Sequence, residues 1–381
     1  MLKEQPFYFR TSMILFMLVL IGFILFVGAD IIVPFAFAVL LSILLIPITS
    51  ILERRGLGRI NSITVSILLA VLFIGGVIYF LSSQILSFMD DVPVMRKRIG
   101  ELILIVQKEL QARFGISIRE QKSYLDSATG SGTGIVGNTV VSLKDTLFML
   151  TLLPIYSFLI LYYRSMIKKF LLDVFKHHNK DRVEEVLAES RGVIQNYMLG
   201  LLIEMGIVAL INFIGFQIVG IDYAVFLAVF AAVLNLIPYI GMLIASIFCA
   251  LVTLTTSPNP SDAIWALVVL WVVQFIDNNF LMPKIVGSKV KINALITILG
   301  VLIGGALCGV SGTFLSIPGI AILKVIFERV DELKPWGMLL SDNITSNKPG
   351  RIYARITSLR RKHPPVAGIT VENSTHPPAA K

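Results

Sequence analysis

The fold of this chain is decided by the stretch Asp222–Thr253, which reads DYAVFLAVFAAVLNLIPYIGMLIASIFCALVT. The stretch is almost wholly apolar, but Asn235, Pro238 and Gly241 interrupt it near its middle. Proline lacks a backbone donor and clashes with the preceding turn, so a helix bends or stops there. In lipid the freed backbone groups find no water, and a break is tolerated only where protein or an aqueous cavity surrounds it. The stretch therefore predicts a membrane helix broken at membrane depth, as is typical of transporter binding sites.

The composition places most of the chain in a bilayer. The 381 residues are 56% hydrophobic and 15% charged, whereas a soluble domain carries about 25% charged residues. The net charge of +9 is concentrated in short loops and in the tail after Lys334, which suits contact with anionic lipid headgroups rather than with nucleic acid. Cys249 and Cys308 both lie in apolar runs, so we predict no disulfide framework, no metal site and no cofactor.

The first part of the chain predicts a cytoplasmic N-terminus at residues 1–12 and three membrane helices within residues 13–89. A cleavable signal peptide is the alternative for the first apolar run, but no clear small-residue cleavage site follows it and a second run begins at once. The loop 53–59 carries three arginines, so the positive-inside rule places this loop and the N-terminus in the cytoplasm. The three predicted spans are Met13–Ala29, Ile31–Ile51 and Ile63–Ser82.

A soluble segment then separates the third span from the fourth. Residues 90–145 are predicted to be extracytoplasmic, and 93–114 have apolar residues at helical spacing with charges between them. This amphipathic helix is expected either to lie on the membrane or a neighbouring subunit, or to act as a lid or assembly arm. The fourth span is Thr146–Tyr163, the charged segment 164–191 returns to the cytoplasm, and the fifth span is Tyr197–Val219.

The fifth span contains a carboxylate, Glu204. A charge in the middle of a membrane costs roughly 2.5–3.5 kcal/mol on insertion scales, so it normally faces a partner or a cavity. Glu204 is therefore a candidate proton or cation site. The alternative is a side chain that reaches the membrane interface from near the end of the helix.

Loop charges predict how the broken stretch crosses the membrane. The fifth span ends outside, and the loop 255–262 carries neither Lys nor Arg and also looks external. The stretch 222–253 then enters and leaves on one side, and its arms of about 14 residues suit a re-entrant hairpin. The alternative is a single crossing with a proline kink.

A second broken run follows the span Ala263–Leu281. Residues 294–327 are apolar, and Gly309, Gly312 and Pro318 interrupt them. By the same charge argument this run enters and leaves from the cytoplasm, either as a re-entrant hairpin or as two short spans. Two broken hairpins that enter from opposite faces suggest an inverted-repeat transporter with its site where the tips meet.

These motifs together resemble the autoinducer-2 exporter-like family of bacterial permeases. The matching segments are Asn235-Leu-Ile-Pro238-Tyr-Ile-Gly241, Gln274-Phe-Ile-Asp277-Asn278-Asn279, and Gly309-Val-Ser-Gly312 with Ile317-Pro318. The resemblance covers residues 10–330. It implies a protein of the bacterial inner membrane with about eight membrane segments, a homo-oligomer such as a pentamer, and export of small solutes or, as for some relatives, sodium/proton antiport. The loop charges place both termini in the cytoplasm. The positions that the resemblance marks as candidates for substrate or ion binding are Asn235, Pro238, Gly241, Gln274, Asp277, Asn278, Gly309, Gly312 and Pro318, and Pro283 is a further matched position.

We therefore predict an all-α polytopic membrane protein with about eight membrane segments, including the two broken hairpins. Its transport core is residues 146–330, and residues 341–381 form a disordered basic cytoplasmic tail.

Three functions are compatible with this sequence. The first is export of a small polar solute similar to autoinducer-2, bound by the amides of Asn235, Gln274 and Asn278 with Asp277 as the coupling site. The second is sodium or potassium/proton antiport, in which Asp277, together with Glu204, binds proton and cation in mutual exclusion. The third is a non-transporting envelope protein, which would have no need for polar breaks in its membrane helices. An enzyme is not predicted, because no Ser/His/Asp arrangement, metal-ligand spacing or phosphate loop is present.

Overall fold

The structure is a computed structural model that describes residues 6–90, 133–175, 180–238, 240–287 and 292–342, together with scattered positions between 97 and 112. The described residues are helical almost throughout, as the composition predicts. The π-helix Asp277–Gly287 follows α8 directly, and the short 3₁₀-helix Asp331–Leu333 follows α9. The α-helices are α1 (Phe7–Val27), α2 (Ala29–Arg54), α3 (Arg59–Asp90), α4 (Thr133–Val174), α5 (Lys180–Val219), α6 (Ala224–Asn235), α7 (Ile240–Thr256), α8 (Ser261–Ile276), α9 (Ala294–Arg329) and α10 (Lys334–Leu340).

Six helical segments in the described residues are long and apolar enough to cross a membrane. They are α1, α2, α3, α5, α9, and α8 extended into the π-helix. The predicted fourth span, Thr146–Tyr163, lies inside α4. The chain is thus a polytopic all-α membrane protein.

The stretch 222–253 forms a helical hairpin. Its first arm, α6, ends at Asn235, and its second arm, α7, begins at Ile240, so the break falls at Pro238 as predicted. Phe226 and Phe248 are 22 residues apart, which is about 33 Å along a continuous helix. Their ring centroids are only 6.0 Å apart, and those of Phe230 and Phe248 are 4.5 Å apart. The two arms therefore lie side by side, and a single kinked crossing is excluded.

The second broken run is also a hairpin, and its two helical arms are joined by the non-helical residues Cys308 and Gly309. Ser316 Oγ donates to the backbone oxygen of Gly300 at 2.8 Å, whereas 16 residues of straight helix would span about 24 Å. The chain reverses at Cys308 and Gly309, where Gly309 has φ 62° and ψ −149°, a conformation open mainly to glycine. The two arms of α9 meet through Gly304 and Gly312, whose missing side chains let the backbones touch.

Ion pairs gather several charged segments at one end of the molecule, which we call the charged end. Glu53 after α2 pairs with Arg164 of α4 at 2.7 Å, and Arg329 at the end of α9 pairs with Glu185 of α5 at 2.8 Å. Arg182 of α5 pairs with Asp331 at 2.6 Å. These are the segments that the sequence assigned to one side of the membrane, and both arms of the second hairpin start from this end.

The first hairpin starts from the opposite end. Arg98 donates to the backbone oxygens of Thr255 at 3.3 Å and Pro258 at 3.2 Å. The segment after α3 therefore lies against the turn between α7 and α8, as expected for two loops on one face. The described positions between 97 and 112 are helical. The rest of the predicted segment 90–132, and the tail from residue 343, lie outside the described residues.

Candidate functional site

Glu204 lies on the buried face of α5. The buried positions Tyr197, Leu201, Val208 and Asn212 recur at helical spacing, and Glu204 continues the same stripe with only 6% of its surface exposed. The stripe packs against α6 and the π-helix. Glu204 therefore points into protein, which excludes a side chain that reaches the membrane interface.

Asp277, which directly follows α8, lies in the interior beside Glu204. It is the first residue of the π-helix, and it is 3% exposed. A π-helix widens the turn to i→i+5 hydrogen bonds, a rare geometry that is frequent at functional sites. The sequence predicted the Asp277-Asn278-Asn279 run near the end of a span but gave no sign of the π-helix.

The third polar side chain of the site, Asn235, comes from the break in the first hairpin. Asn235 is the last residue of α6, and its Nδ2 donates to Oδ2 of Asp277 at 3.0 Å. A side chain on Gly241 would come within 1.7 Å of the backbone oxygen of Leu234, so only glycine lets α7 start this close to the end of α6. Pro238 ends the helix, and Gly241 closes the turn that holds Asn235 at its place.

The three groups form a compact polar site. The carboxyl of Glu204 lies close enough to that of Asp277 to interact with it electrostatically, and Asn235 contacts Asp277 as well. Oε2 of Glu204 and Oδ1 of Asp277 are buried without a hydrogen-bond partner among the described residues. Buried polar atoms are almost always satisfied, and those left open need an explanation. Two open carboxyl oxygens at one place are suitable ligands for a proton or a small cation.

Apolar side chains close the site on both sides along the helices. Tyr197, Leu201 and Leu236 belong to one cluster, which includes Val301 and Ile317 of the second hairpin. Val208, Ala232 and Val273 belong to the other. The carboxyls are thus enclosed in surroundings of low dielectric, where electrostatic interactions are strong.

The remaining predicted site residues fall into two groups. Gln274 Nε2 donates to Asn278 Oδ1 at 3.1 Å on the outer face of α8, away from buried Asp277. A surface groove of about 580 Å³ adjoins them, with Gln274, Trp271 and Ser246 in its wall. The three amides expected to bind a polar solute therefore do not converge.

The candidates from the second hairpin serve its own packing. Gly309 makes the turn, Gly312 lies against Gly304, and Pro318 is buried in the second arm. The adjoining Cys308 lies beside α1, with its Sγ 3.8 Å from the backbone oxygen of Leu25.

Asn212 is a buried polar residue on α5 that was not among the predicted site residues. Asn212 lies two turns beyond Glu204 on the same stripe, is 2% exposed and has an unpartnered Oδ1. Its spacing of eight residues from Glu204 was the signal in the sequence. In the described residues, no group of three or more His, Cys, Asp or Glu could hold a metal ion.

Comparison with known proteins gives one family and several distant relatives. The family described as AI-2E family transporter matches residues 14–332. YrrI of Bacillus subtilis is 25% identical over 77% of this chain and 85% of its own length. PerM of Escherichia coli K12 is 26% identical over 82% of this chain and 91% of its own length. YrrI is named provisionally as a transport protein and PerM provisionally as a permease.

Proposed function

The chain belongs to the AI-2E transporter family, and we propose that it is a proton-coupled secondary transporter whose ion site is the buried pair Glu204 and Asp277. Cation/proton antiport is the activity that this pair supports best. The observation that carries the proposal is that two interacting carboxyls are both buried and each keep one oxygen without a hydrogen-bond partner among the described residues.

A pair of neighbouring buried carboxyls suits the exchange of a proton for a cation. Two neighbouring carboxyls can share one proton through a hydrogen bond, whereas two carboxylates offer only acceptors. When the proton leaves, two negative charges remain in apolar surroundings, and a cation is needed to compensate them. Proton and cation would then occupy the same oxygens in turn, which is the exclusion that antiport requires.

Asn235 adds a fixed donor to this arrangement. Its bond to Oδ2 of Asp277 leaves Oδ1 directed towards the exchange site. Asn235 lies at the tip of the first hairpin, so a shift of this tip would alter the site and its access together. We therefore assign Asn235 as a positioning residue for Asp277.

Orientation and assembly are part of the proposal. Basic residues dominate the loop 53–59 and the region after Lys324, so we place the charged end in the cytoplasm and the chain in the bacterial inner membrane. A homo-oligomer, with the pentamer implied by the family resemblance, stays a prediction.

The test uses purified full-length protein in proteoliposomes that contain a pH-sensitive dye. Sodium and then potassium are added outside, and the internal pH is recorded. We expect cation-dependent proton movement in the wild type and its loss in Asp277→Asn and Glu204→Gln. The matched control is Asp222→Asn, which makes the same change at an exposed turn between α5 and α6.

The outcomes separate two parts of the proposal. Wild-type exchange that persists in Asp277→Asn would remove the ion-site assignment while leaving antiport in place. Absence of proton movement with either cation would overturn antiport and leave solute export as the leading function.

Export of a small polar solute similar to autoinducer-2 is the second candidate. The groove beside Gln274 favours it, because Trp271 offers a stacking face and Ser246 a hydroxyl. Flux of labelled autoinducer-2 from the same vesicles tests it, with Gln274→Leu as the variant that should lose transport.

A further inference from the structure

We propose that the groove between α3 and α4 at the charged end binds an anionic phospholipid, with the headgroup at Arg59 and one acyl chain along the helices below it. The groove lies between helices that contribute neither Glu204 nor Asp277, so this inference is independent of the proposed transport activity.

The mouth of the groove is a polar cavity of about 670 Å³ at the start of α3. Arg59 Nη2 donates to the backbone oxygen of Tyr162 at 2.6 Å, and the guanidinium lies 5.6 Å from the centre of the Tyr162 ring. These contacts fix the side chain in place while it stays exposed. A guanidinium has five N–H donors in a planar fork. The described contacts of Arg59 all use Nη2, so the other nitrogens can meet a phosphate oxygen. Asn61, Tyr163 and Ser165 also line the mouth.

The charge around the mouth is positive. Arg54 and Arg55 are exposed in the adjoining turn. Glu53, the acid of this segment, is paired with Arg164 at 2.7 Å. An anionic headgroup would therefore meet cations without an opposing free carboxylate from this segment.

A second, apolar groove of about 510 Å³ lies deeper along the same two helices. It is lined on α3 by Leu68 and Val71 and on α4 by Ile155 and Leu159, all of them exposed. Leu68 lies seven residues beyond Asn61, which is about 10 Å deeper along α3. A cationic mouth with an apolar groove about 10 Å deeper matches a phospholipid, because the headgroup region is only about 5–8 Å thick on each side of a bilayer and the acyl chains lie below it.

The packing of α2 against α3 and α4 holds the two walls of the groove in place. Ile63 and Ile67 of α3 meet Leu161 of α4 and Leu45 of α2 in one buried cluster. Thr49 of α2 also donates to Ser66 of α3 at 3.1 Å. The inner faces of α3 and α4 are thus packed against α2, and their outer residues line the groove.

A free phosphate would bind the mouth alone, whereas a phospholipid requires mouth and groove together. Native mass spectrometry of the full-length protein in detergent distinguishes them. The probes are phosphatidylglycerol and phosphatidylcholine with identical long acyl chains, dihexanoyl phosphatidylglycerol, and inorganic phosphate as a competitor. We expect long-chain phosphatidylglycerol to bind in preference to the other lipids, and phosphate not to displace it.

Three variants locate the site. Arg59→Gln should lower phosphatidylglycerol binding about tenfold, the scale of a lost charge-assisted hydrogen bond. It should lower phosphatidylcholine binding less, because the choline cation offsets the attraction between the phosphate and the arginines. Arg55→Gln is the matched control, since Arg55 is an exposed arginine of the same turn that does not line the mouth. Leu159→Trp fills the apolar groove while leaving Arg59 in place, and it should weaken the long-chain lipid but not the dihexanoyl lipid. This variant also keeps the test valid if Arg59→Gln does not fold.

Equal binding of phosphatidylglycerol and phosphatidylcholine to the wild type would overturn the proposal. So would an equal loss in Arg55→Gln and Arg59→Gln, since the headgroup would then be held by general positive charge. Displacement by phosphate would assign the mouth to a free anion. A second copy of the chain in the groove would appear as a dimer that excludes lipid, and it would overturn the proposal as well.

Discussion

Asn235 is the residue on which the polar site depends most directly. Its amide is the donor to Oδ2 of Asp277, and it lies where α6 gives way to the break at Pro238. The same side chain therefore connects the carboxyl pair to the shape of the first hairpin. Removing the amide affects both.

We expect Asn235→Ala to lower the stability of the protein and to impair ion exchange together. The change leaves Oδ2 of Asp277 without its donor in an apolar setting, at a cost of about 1–2 kcal/mol. Thermal unfolding in detergent and proton flux in vesicles measure the two effects. Asn278→Ala is the control, since it removes an exposed amide whose partner is Gln274. Equal effects of the two changes would contradict the positioning role of Asn235.

The sequence predicted the single members of the site better than their arrangement. Glu204 and Asp277 could be identified because ionisable groups are costly within apolar runs. Their pairing could not, because it depends on the rotation of α5 and α8 about their axes. Gln274 and Asn278 belong to the same motif as Asp277, yet they lie on the outer face, since successive helical residues point about 100° apart. No pattern in the sequence distinguishes the inner face of this motif from the outer one.

At the scale of elements, both hairpins were predicted from breaks in apolar runs, and both are hairpins. The proline and glycine positions determined where the arms end, because their backbone effects are local. The π-helix after α8 was not predictable. Its i→i+5 bonding has no known residue preference strong enough to show in one sequence, and it depends on the packing of Asp277 against Glu204 and Asn235.

The second hairpin should be sensitive to a single methyl group where its arms touch. A Cβ on Gly304 would lie 2.0 Å from Ser316 Oγ and 2.5 Å from the backbone oxygen of Gly312. Gly304→Ala should therefore force the arms apart and cost about 1–3 kcal/mol, the usual range for overpacking. Gly319→Ala is the control on the same hairpin, because a Cβ there meets no atom within 4 Å. Thermal unfolding of the two variants measures the difference, and equal melting temperatures would contradict the close contact of the arms.

Ion pairs of Asp331 with Arg182 and Lys334 hold the 3₁₀-helix Asp331–Leu333 after the second hairpin. The stability of the protein should therefore depend on pH. Hydrogen bonds from Lys334 and then Arg182 lower the pKa of Asp331 from 3.8 to about 2. A carboxyl whose pKa is depressed by folding contributes stability above its unfolded pKa and loses it as pH falls towards the folded value. The Asp331→Asn variant should therefore have a lower melting temperature than the wild type at pH 5–7. The difference between the two melting temperatures should disappear between about pH 4 and pH 2.

Ionic strength provides an independent check on the same junction. Asp331 and its partners are exposed, so added salt should narrow the gap between the wild type and Asp331→Asn. Glu332→Gln removes the next carboxyl along the chain, which is also exposed, and serves as the control. If neither pH nor salt changes the difference in melting temperature between the wild type and Asp331→Asn, Asp331 acts through packing and not through charge.

At the scale of the whole molecule, charge and hydrophobicity together determined which loops share an end. The ion pairs of the charged end join residues more than 100 positions apart, such as Glu53 with Arg164 and Glu185 with Arg329. The sequence predicted this grouping from loop charges, without any contact being known. The contact between Arg98 and the turn at Thr255–Pro258 groups the opposite loops in the same way. Because each hairpin starts and ends at one of these two ends, we predict that neither hairpin crosses the membrane completely.

This arrangement predicts which sites are labelled together across a membrane. In a variant without Cys249 and Cys308, single cysteines are placed at the exposed positions Asp222 and Asn259, which flank the first hairpin. A further pair is placed at Arg55 and Glu332, which are exposed at the charged end. An impermeant thiol reagent added to whole cells should label the first pair and spare the second, because basic loops are retained in the cytoplasm. Labelling of Asp222→Cys and Asn259→Cys from opposite sides would mean that the chain crosses the membrane between them, and the hairpin would then have to open in the bilayer.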